Sequence, residues 1–156
     1  MYSKKKQVGC FGKKRKMVRT TADKWFSVYV RLRDTVKVVN GVPYVVCITC
    51  GKLVEFKAIQ CGHFVKRHKW AVRFYEKNGN AQCVHCNEVL SGNDYLYGKA
   101  INKKWGPGTA EYLVAYGNQR GQKKYGRLPL KEEADKYRLK SKDLAKEKGV
   151  PWNYIT

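Results

Sequence analysis

The sequence predicts an α+β protein with a small cysteine-stapled core between flanking helices. Two C-x-x-C pairs, Cys47/Cys50 and Cys83/Cys86, frame residues 51–82. β-branched and aromatic runs adjoin the first pair, as strands require. Stretches of helical period, closed by glycine and proline, lie on both sides.

Residues 1–19 carry Lys4, Lys5, Lys6, Lys13, Lys14, Arg15, Lys16 and Arg19 with no acidic residue, which reads as a basic arm that orders only against phosphates. From 21 to 39, Trp25, Val28, Leu32, Val36 and Val39 recur at spacings of three and four, which predicts one helix with one buried face, ended by Asn40-Gly41 and Pro43. Tyr44 to Thr49 reads as a strand, and Leu53 to Ile59 as its hairpin partner across Cys50-Gly51-Lys52. Residues 62–82 read as loop, with a turn at Asn78-Gly79-Asn80, and a short helix is expected after Cys86. A helix over about 94–104 stops at Gly106-Pro107. Another starts at Thr109 and runs to about Tyr116. The last is the best marked. Pro129 suits its first turn, Glu132 and Glu133 lie near its positive end, and Lys146 and Lys148 near its negative end, before Gly149 and Pro151 stop it. The expected division is a basic arm over 1–19, a core with its leading helix over 20–118, and a basic linker with the terminal helix over 119–156.

The 156 residues carry 33 Lys+Arg against 12 Asp+Glu, a formal net charge of +21. A polyphosphate is the natural partner, because each neutralised phosphate releases counterions. A membrane surface fits less well, since the charge is spread along the chain rather than gathered on one amphipathic helix. No segment approaches the roughly 20 apolar residues that span a bilayer. The start, Met-Tyr-Ser-Lys-Lys-Lys, has no apolar signal region, so the cysteines are expected in a reducing compartment, as metal ligands rather than disulfides.

Zinc prefers four soft tetrahedral ligands, and one tight turn of C-x-x-C supplies two thiolates. Cys47, Cys50, Cys83 and Cys86 therefore predict a closed structural Zn²⁺ site that clamps the insert between them. Cys61 and His85 do not fit the paired spacing, and Cys10 and Cys61 are left as spare thiols.

Inside the clamp a His follows a strand (Cys61-Gly62-His63-Phe64), Asn78 lies five residues before the second knuckle, and Asn87 follows Cys86 directly. This order is that of a ββα-metal, or HNH, site. Phosphodiester hydrolysis needs a base for the attacking water and a divalent cation against the phosphate. His63, with an ordinary pKa near 6.5, is the expected base. Asn87 is placed to bind the cation, Asn78 to hold the loop that orients His63, and Arg73 to grip a phosphate.

These residues resemble the lambdoid-phage Rap family, also called NinG, of recombination nucleases. The matching string runs Cys47-Ile-Thr-Cys50-Gly51, Cys61-Gly62-His63-Phe64, Arg73-Phe74, Glu76, Asn78, Gln82-Cys83, Cys86-Asn87, Leu90-Ser91-Gly92-Asn93 and Tyr97. The resemblance covers about residues 20–145. It implies cleavage of branched DNA, such as D-loops and four-way junctions, with Mg²⁺ or Mn²⁺, in a cytoplasmic phage protein acting within the bacterial host beside recombination proteins. The knuckles are also similar to those of the phage junction resolvase endonuclease VII, in which an acidic residue precedes the His and helps to hold the metal. Here that position is Gly62, and Glu76, Asn93 or Asp94 are candidates for the missing ligand. Symmetric resolution of a junction needs two active sites, so a homodimer is expected. The rival readings are a non-catalytic zinc-ribbon nucleic-acid-binding protein and a sequence-specific HNH endonuclease.

Overall fold

The computed structural model describes residues 18–119 and 126–155. The basic arm up to residue 17, with Cys10, and linker residues 120–125 lie outside them. Helix α1 (Thr21–Arg33) opens on a capping box: the Thr20 side chain accepts from the Asp23 N–H at 3.2 Å, and Asp23 accepts from the Thr20 N–H at 2.7 Å. Ala22, Phe26, Val30 and Leu32 are all buried, so α1 is buried on more than one face and lies at the centre of the molecule.

The expected helix through residue 39 is wrong in its second half. The chain leaves α1 at Asp34 and forms β1 (Thr35–Val39), which turns at Asn40-Gly41 into β2 (Val42–Val46). Both turn residues have positive φ, 50° and 77°, which Asn and Gly tolerate in a two-residue hairpin. The run Thr-Val-Lys-Val-Val is β-branched and stiff at χ1, and here a strand suits it better than a helix. Val36 and Val39, read as part of a buried stripe, are exposed.

β3 (Leu53–Glu55) pairs with β2 as expected, Val45 opposite Val54, and completes a three-stranded sheet in the order β1-β2-β3, but it is shorter than the expected Leu53–Ile59, and Ile59 belongs to another sheet. A second, two-stranded sheet takes in both ends of the segment read as loop over 62–82. β4 (Ile59–His63) pairs antiparallel with β5 (Gly79–Cys83), Cys61 opposite Ala81 and His63 opposite Gly79. Gly79 is needed there because a Cβ would meet the Phe26 ring at 2.6 Å. After β5 comes a single π-helical turn, His85–Val89, in place of the expected short helix.

Helices α2 (Asp94–Trp105) and α3 (Thr109–Gly117) agree with expectation and share a core of Val72, Tyr97, Ile101 and Leu113. α4 (Arg127–Glu147) packs along α1 through Phe26, Tyr29, Ala134 and Tyr137. Past Lys148 and Gly149, the short α5 (Trp152–Ile155) stacks Trp152 on Trp25 with centroids 5.8 Å apart. Lys148 Nζ donates to the carbonyls of Arg33 and Thr35, placing a cation at the negative end of α1. Among the described residues no helix is long and apolar enough to cross a membrane.

One buried ion pair fastens α1 to the loop between β4 and β5. Arg73 donates to both carboxylate oxygens of Asp23, at 2.9 and 2.6 Å, and the two side chains are 1% and 3% exposed. Burial pushes the Asp23 carboxyl up, but bonds from Arg73 and Thr20 outweigh it and hold the group below its usual range. Arg73→Met would strand a buried carboxylate and is expected to lower the unfolding free energy by about 3 kcal/mol, whereas Asp23→Leu combined with Arg73→Met should cost less. Urea denaturation measures both, and a single variant that unfolds like the wild type would show that the pair does not fasten the loop.

Candidate active site and metal centre

The two knuckles are built on the ends of two strands. Cys47 follows β2, and the chain turns back at once: Gly51 N–H donates to the Cys47 carbonyl at 2.9 Å, with Gly51 at φ 74°. Cys83 ends β5 and Cys86 lies in the π-helical turn, where its carbonyl accepts from Gly92 N–H. The four sulfur atoms lie within 4.8 Å of one another, three of the residues buried and Cys50 exposed. Burial drives the thiols of Cys50 and Cys86 up. Burial also acts on Cys47, but backbone N–H bonds from Cys50, Cys83 and Thr49 carry it below its usual value. Four such neighbours do not ionise together unaided, whereas a divalent soft cation replaces their protons. The quartet can hold a structural metal ion such as zinc. Cys61 is not part of it. It lies on β4, where burial raises its thiol to about 12, the mark of an inert cysteine.

His63 sits at the end of β4, beside a cleft of about 650 Å³ between α1, the β4 strand and the π-helical turn. Arg31 and Ser27 line the α1 side, Asn87 and Glu88 the turn side, and Lys66 and Arg67 the rim. His63 Nε2 lies 3.0 Å from the carbonyl of Arg73. A carbonyl can only accept, so Nε2 carries the proton and the Nδ1 lone pair is left as the basic site. Burial, helped by Arg67, pushes the imidazole down to about 4 against the opposing pull of the Arg73 carbonyl. His63 is therefore a neutral base throughout the physiological range.

The other predicted residues fall in different places. Asn78 is fully buried and staples the loop that follows His63: its Oδ1 accepts from Val65 N–H at 2.8 Å, and its Nδ2 donates to the carbonyls of Val65 and Val72, both at 2.9 Å. Asn87 lines the cleft and donates from Nδ2 to Gln60 Oε1 at 2.6 Å. Arg73 does not present its guanidinium to the cleft, because Asp23 occupies it and Trp70 lies 4.3 Å from it. Its link to His63 runs through its backbone carbonyl. Glu76 bridges Tyr29 on α1 to Lys140 on α4, each at 2.6 Å, and does not line the cleft. Asn93 holds φ 50° before α2, and the exposed Asp94 lies 3.7 Å from Lys66 Nζ. Neither reaches the cleft.

Sequence reasoning missed Gln60, Gln82, Glu88 and Arg31. Gln60 and Gln82 face one another across β4 and β5, so only the strand pairing reveals them. Glu88 directly follows Asn87 and could have been weighed with it. Arg31, off the apolar stripe of α1, lines the cleft while donating to the carbonyls of Ser27 and Phe56.

The purified protein is expected to carry one zinc ion per chain by atomic absorption. Cys47→Ser and Cys83→Ser should each lose the ion and cooperative unfolding, since a structural zinc contributes about 10 kcal/mol or more, while Cys61→Ser keeps both. A cooperatively folded chain free of metal would contradict the assignment.

The family model described as Bacteriophage Lambda NinG protein matches residues 2–147. No curated protein and no solved structure matches. The match runs from the basic arm through both knuckles and the His63 cleft to the end of α4, and the chain belongs to the bacteriophage lambda NinG family.

Proposed function

We propose that this protein is an HNH-type endodeoxyribonuclease that cuts branched recombination intermediates, four-way junctions and D-loops among them, within the phage-infected cell. The observation that carries the reading is His63, held by a backbone carbonyl so that a neutral Nδ1 is available beside a basic cleft that also contains Asn87. Family membership supports the phage setting. The net charge of +21 supports a nucleic-acid partner.

In this mechanism His63 Nδ1 takes a proton from a water aligned with the scissile phosphorus. The water oxygen bonds to phosphorus, the bond from phosphorus to O3′ breaks, and solvent protonates the leaving oxygen. The products are 5′-phosphate and 3′-hydroxyl ends. A Mg²⁺ or Mn²⁺ ion, with Asn87 as a ligand, would supply Lewis-acid stabilisation of the phosphate charge. Arg31, Lys66 and Arg67 place positive charge where the phosphodiester backbone enters. Asn78 keeps the 65–72 loop, and with it the Arg73 carbonyl, against the His63 ring. Cys47, Cys50, Cys83 and Cys86 would hold Zn²⁺, which would fix the turn that carries Asn87. The β4-β5 hairpin and the following π-helical turn would then be a shortened ββα-metal unit. A homodimer would present two such clefts to the arms of a junction, and recombination proteins are expected to share the substrate.

A cleavage assay on labelled four-way junction, D-loop, linear duplex and single strand, with Mg²⁺, Mn²⁺ or EDTA, tests this reading. Metal-dependent cutting of branched substrates is expected, and His63→Ala should slow it by a factor of about 10² to 10⁴. Tight, salt-sensitive binding with no cutting in any metal would favour the zinc-ribbon binding protein. Cutting confined to one duplex sequence would favour the sequence-specific enzyme.

The pH profile is a separate check. With the His63 pKa near 4, the base is unprotonated through neutrality, and activity should hold from pH 8 to about 5 before falling. The same shift makes stability fall as pH drops from about 6.5 towards 4, because the unfolded histidine binds a proton that the folded one refuses. An acid limb of activity centred near 6.5 would contradict the buried neutral base.

A further inference from the structure

The face of the β4-β5 hairpin opposite His63 carries Gln60, Gly62 and Gln82. Gln82 is fully buried, and its Nε2 donates to the Gly92 carbonyl at 2.9 Å and to Thr49 Oγ1 at 2.7 Å. A carbonyl cannot donate, so the orientation of this amide is fixed, and Oε1 is turned towards Gly62. There it has no hydrogen-bond partner among the described residues, a costly arrangement for a buried oxygen. A second chain of bonds fixes Asn87. The Glu88 carboxylate accepts from Gln60 Nε2, so Gln60 Oε1 accepts from Asn87 Nδ2, and Asn87 Oδ1 faces Gly62. A Cβ at Gly62 would lie 2.0 Å from Gln82 Oε1 and 3.2 Å from Asn87 Oδ1. Two amide oxygens thus converge on a backbone position that has no side chain, and one of them, Gln82 Oε1, has no donor among the described residues.

We propose that Gln82 Oε1 and Asn87 Oδ1 together hold the divalent cation, Gln82 standing where a side chain at position 62 would otherwise reach. This deepens the nuclease reading and rests on it for the role of the cation, though not for its binding. Hard divalent cations take oxygen ligands of this kind and complete their shells with water and phosphate oxygens. Both protein ligands are neutral, so the cation is bound weakly until a phosphodiester adds its charge. Glu88, linked to Asn87 through Gln60, is the nearest carboxylate in the network. A side chain at position 62 would have to displace the Gln82 carboxamide, which its bonds to Gly92 and Thr49 hold in place.

The test is a titration of the zinc-loaded, full-length protein with Mn²⁺, read by paramagnetic broadening in ¹⁵N–¹H spectra. The side-chain amides of Gln82 and Asn87 and the backbone amide of Gly62 should broaden first. Gln82→Leu should weaken Mn²⁺ binding by about tenfold or more, while zinc content and melting temperature show that it is folded. Gly62→Asp combined with Gln82→Ala rebuilds the site with a carboxylate and should bind Mn²⁺ at least as tightly as the wild type, and it serves equally if Gln82→Leu does not fold. Broadening centred elsewhere, or a folded Gln82→Leu with unchanged Mn²⁺ affinity, would overturn the proposal, as would a double variant that binds no better than Gln82→Ala alone. Localised Mn²⁺ binding without any DNA cleavage would leave this site standing and remove the nuclease reading. Metal-dependent cleavage with an unaltered Mn²⁺ requirement in Gln82→Leu would do the reverse.

Discussion

The four cysteine sulfurs join two strands that belong to different sheets. Cys47 follows β2 and Cys83 ends β5, and a metal ion shared between them would fix the β4-β5 hairpin against the three-stranded sheet. One backbone bond, from Ile48 N–H to the Ala81 carbonyl, runs the same way. Everything at the cleft follows from that junction. His63 ends one strand of the hairpin, Asn87 sits one residue after the last cysteine, and Gln82 one residue before the third. A shift of the second knuckle would carry Asn87 and Gln82 away from Gly62 together. The third wall, α1, is tied separately through Asp23 and Arg73, and the Arg73 carbonyl in turn fixes the His63 ring.

The electrostatics of the cleft serve two purposes. Arg31, Lys66 and Arg67 line it with positive charge, which on the proposed reading would face a phosphate backbone, and Arg67 also helps to keep His63 neutral. The acidic residues are largely used elsewhere. Asp23 neutralises Arg73, Glu76 bridges Tyr29 and Lys140, and Asp34 accepts from Arg33, Lys104 and the Ala81 N–H. The carboxylate left at the cleft margin is Glu88, which polarises the Gln60–Asn87 network through Gln60. On the proposed reading, a site poor in acid and rich in amide oxygen would depend on its substrate for much of the charge that a cation needs.

Local chemistry made much of this legible in the sequence. The spacing of Cys47, Cys50, Cys83 and Cys86 announced a quartet because two tight turns are local devices. The stop signals of α2, α3 and α4 were readable for the same reason. β1 was hidden because Val36 and Val39 continue the helical period of Val28 and Leu32 by coincidence, and the Asn40-Gly41 hairpin signal was read as a helix end. β5 was hidden because Gly-Asn-Ala-Gln-Cys contains no β-branched residue. Its polar side chains are buried and bonded to distant groups, as when Asn80 accepts from Arg33, Lys104 and Trp105, with the Gln82 oxygen as the exception. Arg73 looked like a phosphate ligand because its partner, Asp23, lies fifty residues earlier. Among the residues proposed for catalysis, His63 and Asn87 line one cleft and Asn78 secures the loop beside it. The oxygen of Gln82 could be found only from the strand register.

The central claim is that the cleft between α1 and β4 receives the scissile phosphate. A crystal structure of the His63→Ala protein with a four-way junction and Mn²⁺ tests it directly, with anomalous scattering to locate the metal. The account predicts a backbone phosphate beside residue 63 and a manganese peak against Asn87. DNA bound across another face, with neither phosphate nor manganese in the cleft, would contradict it.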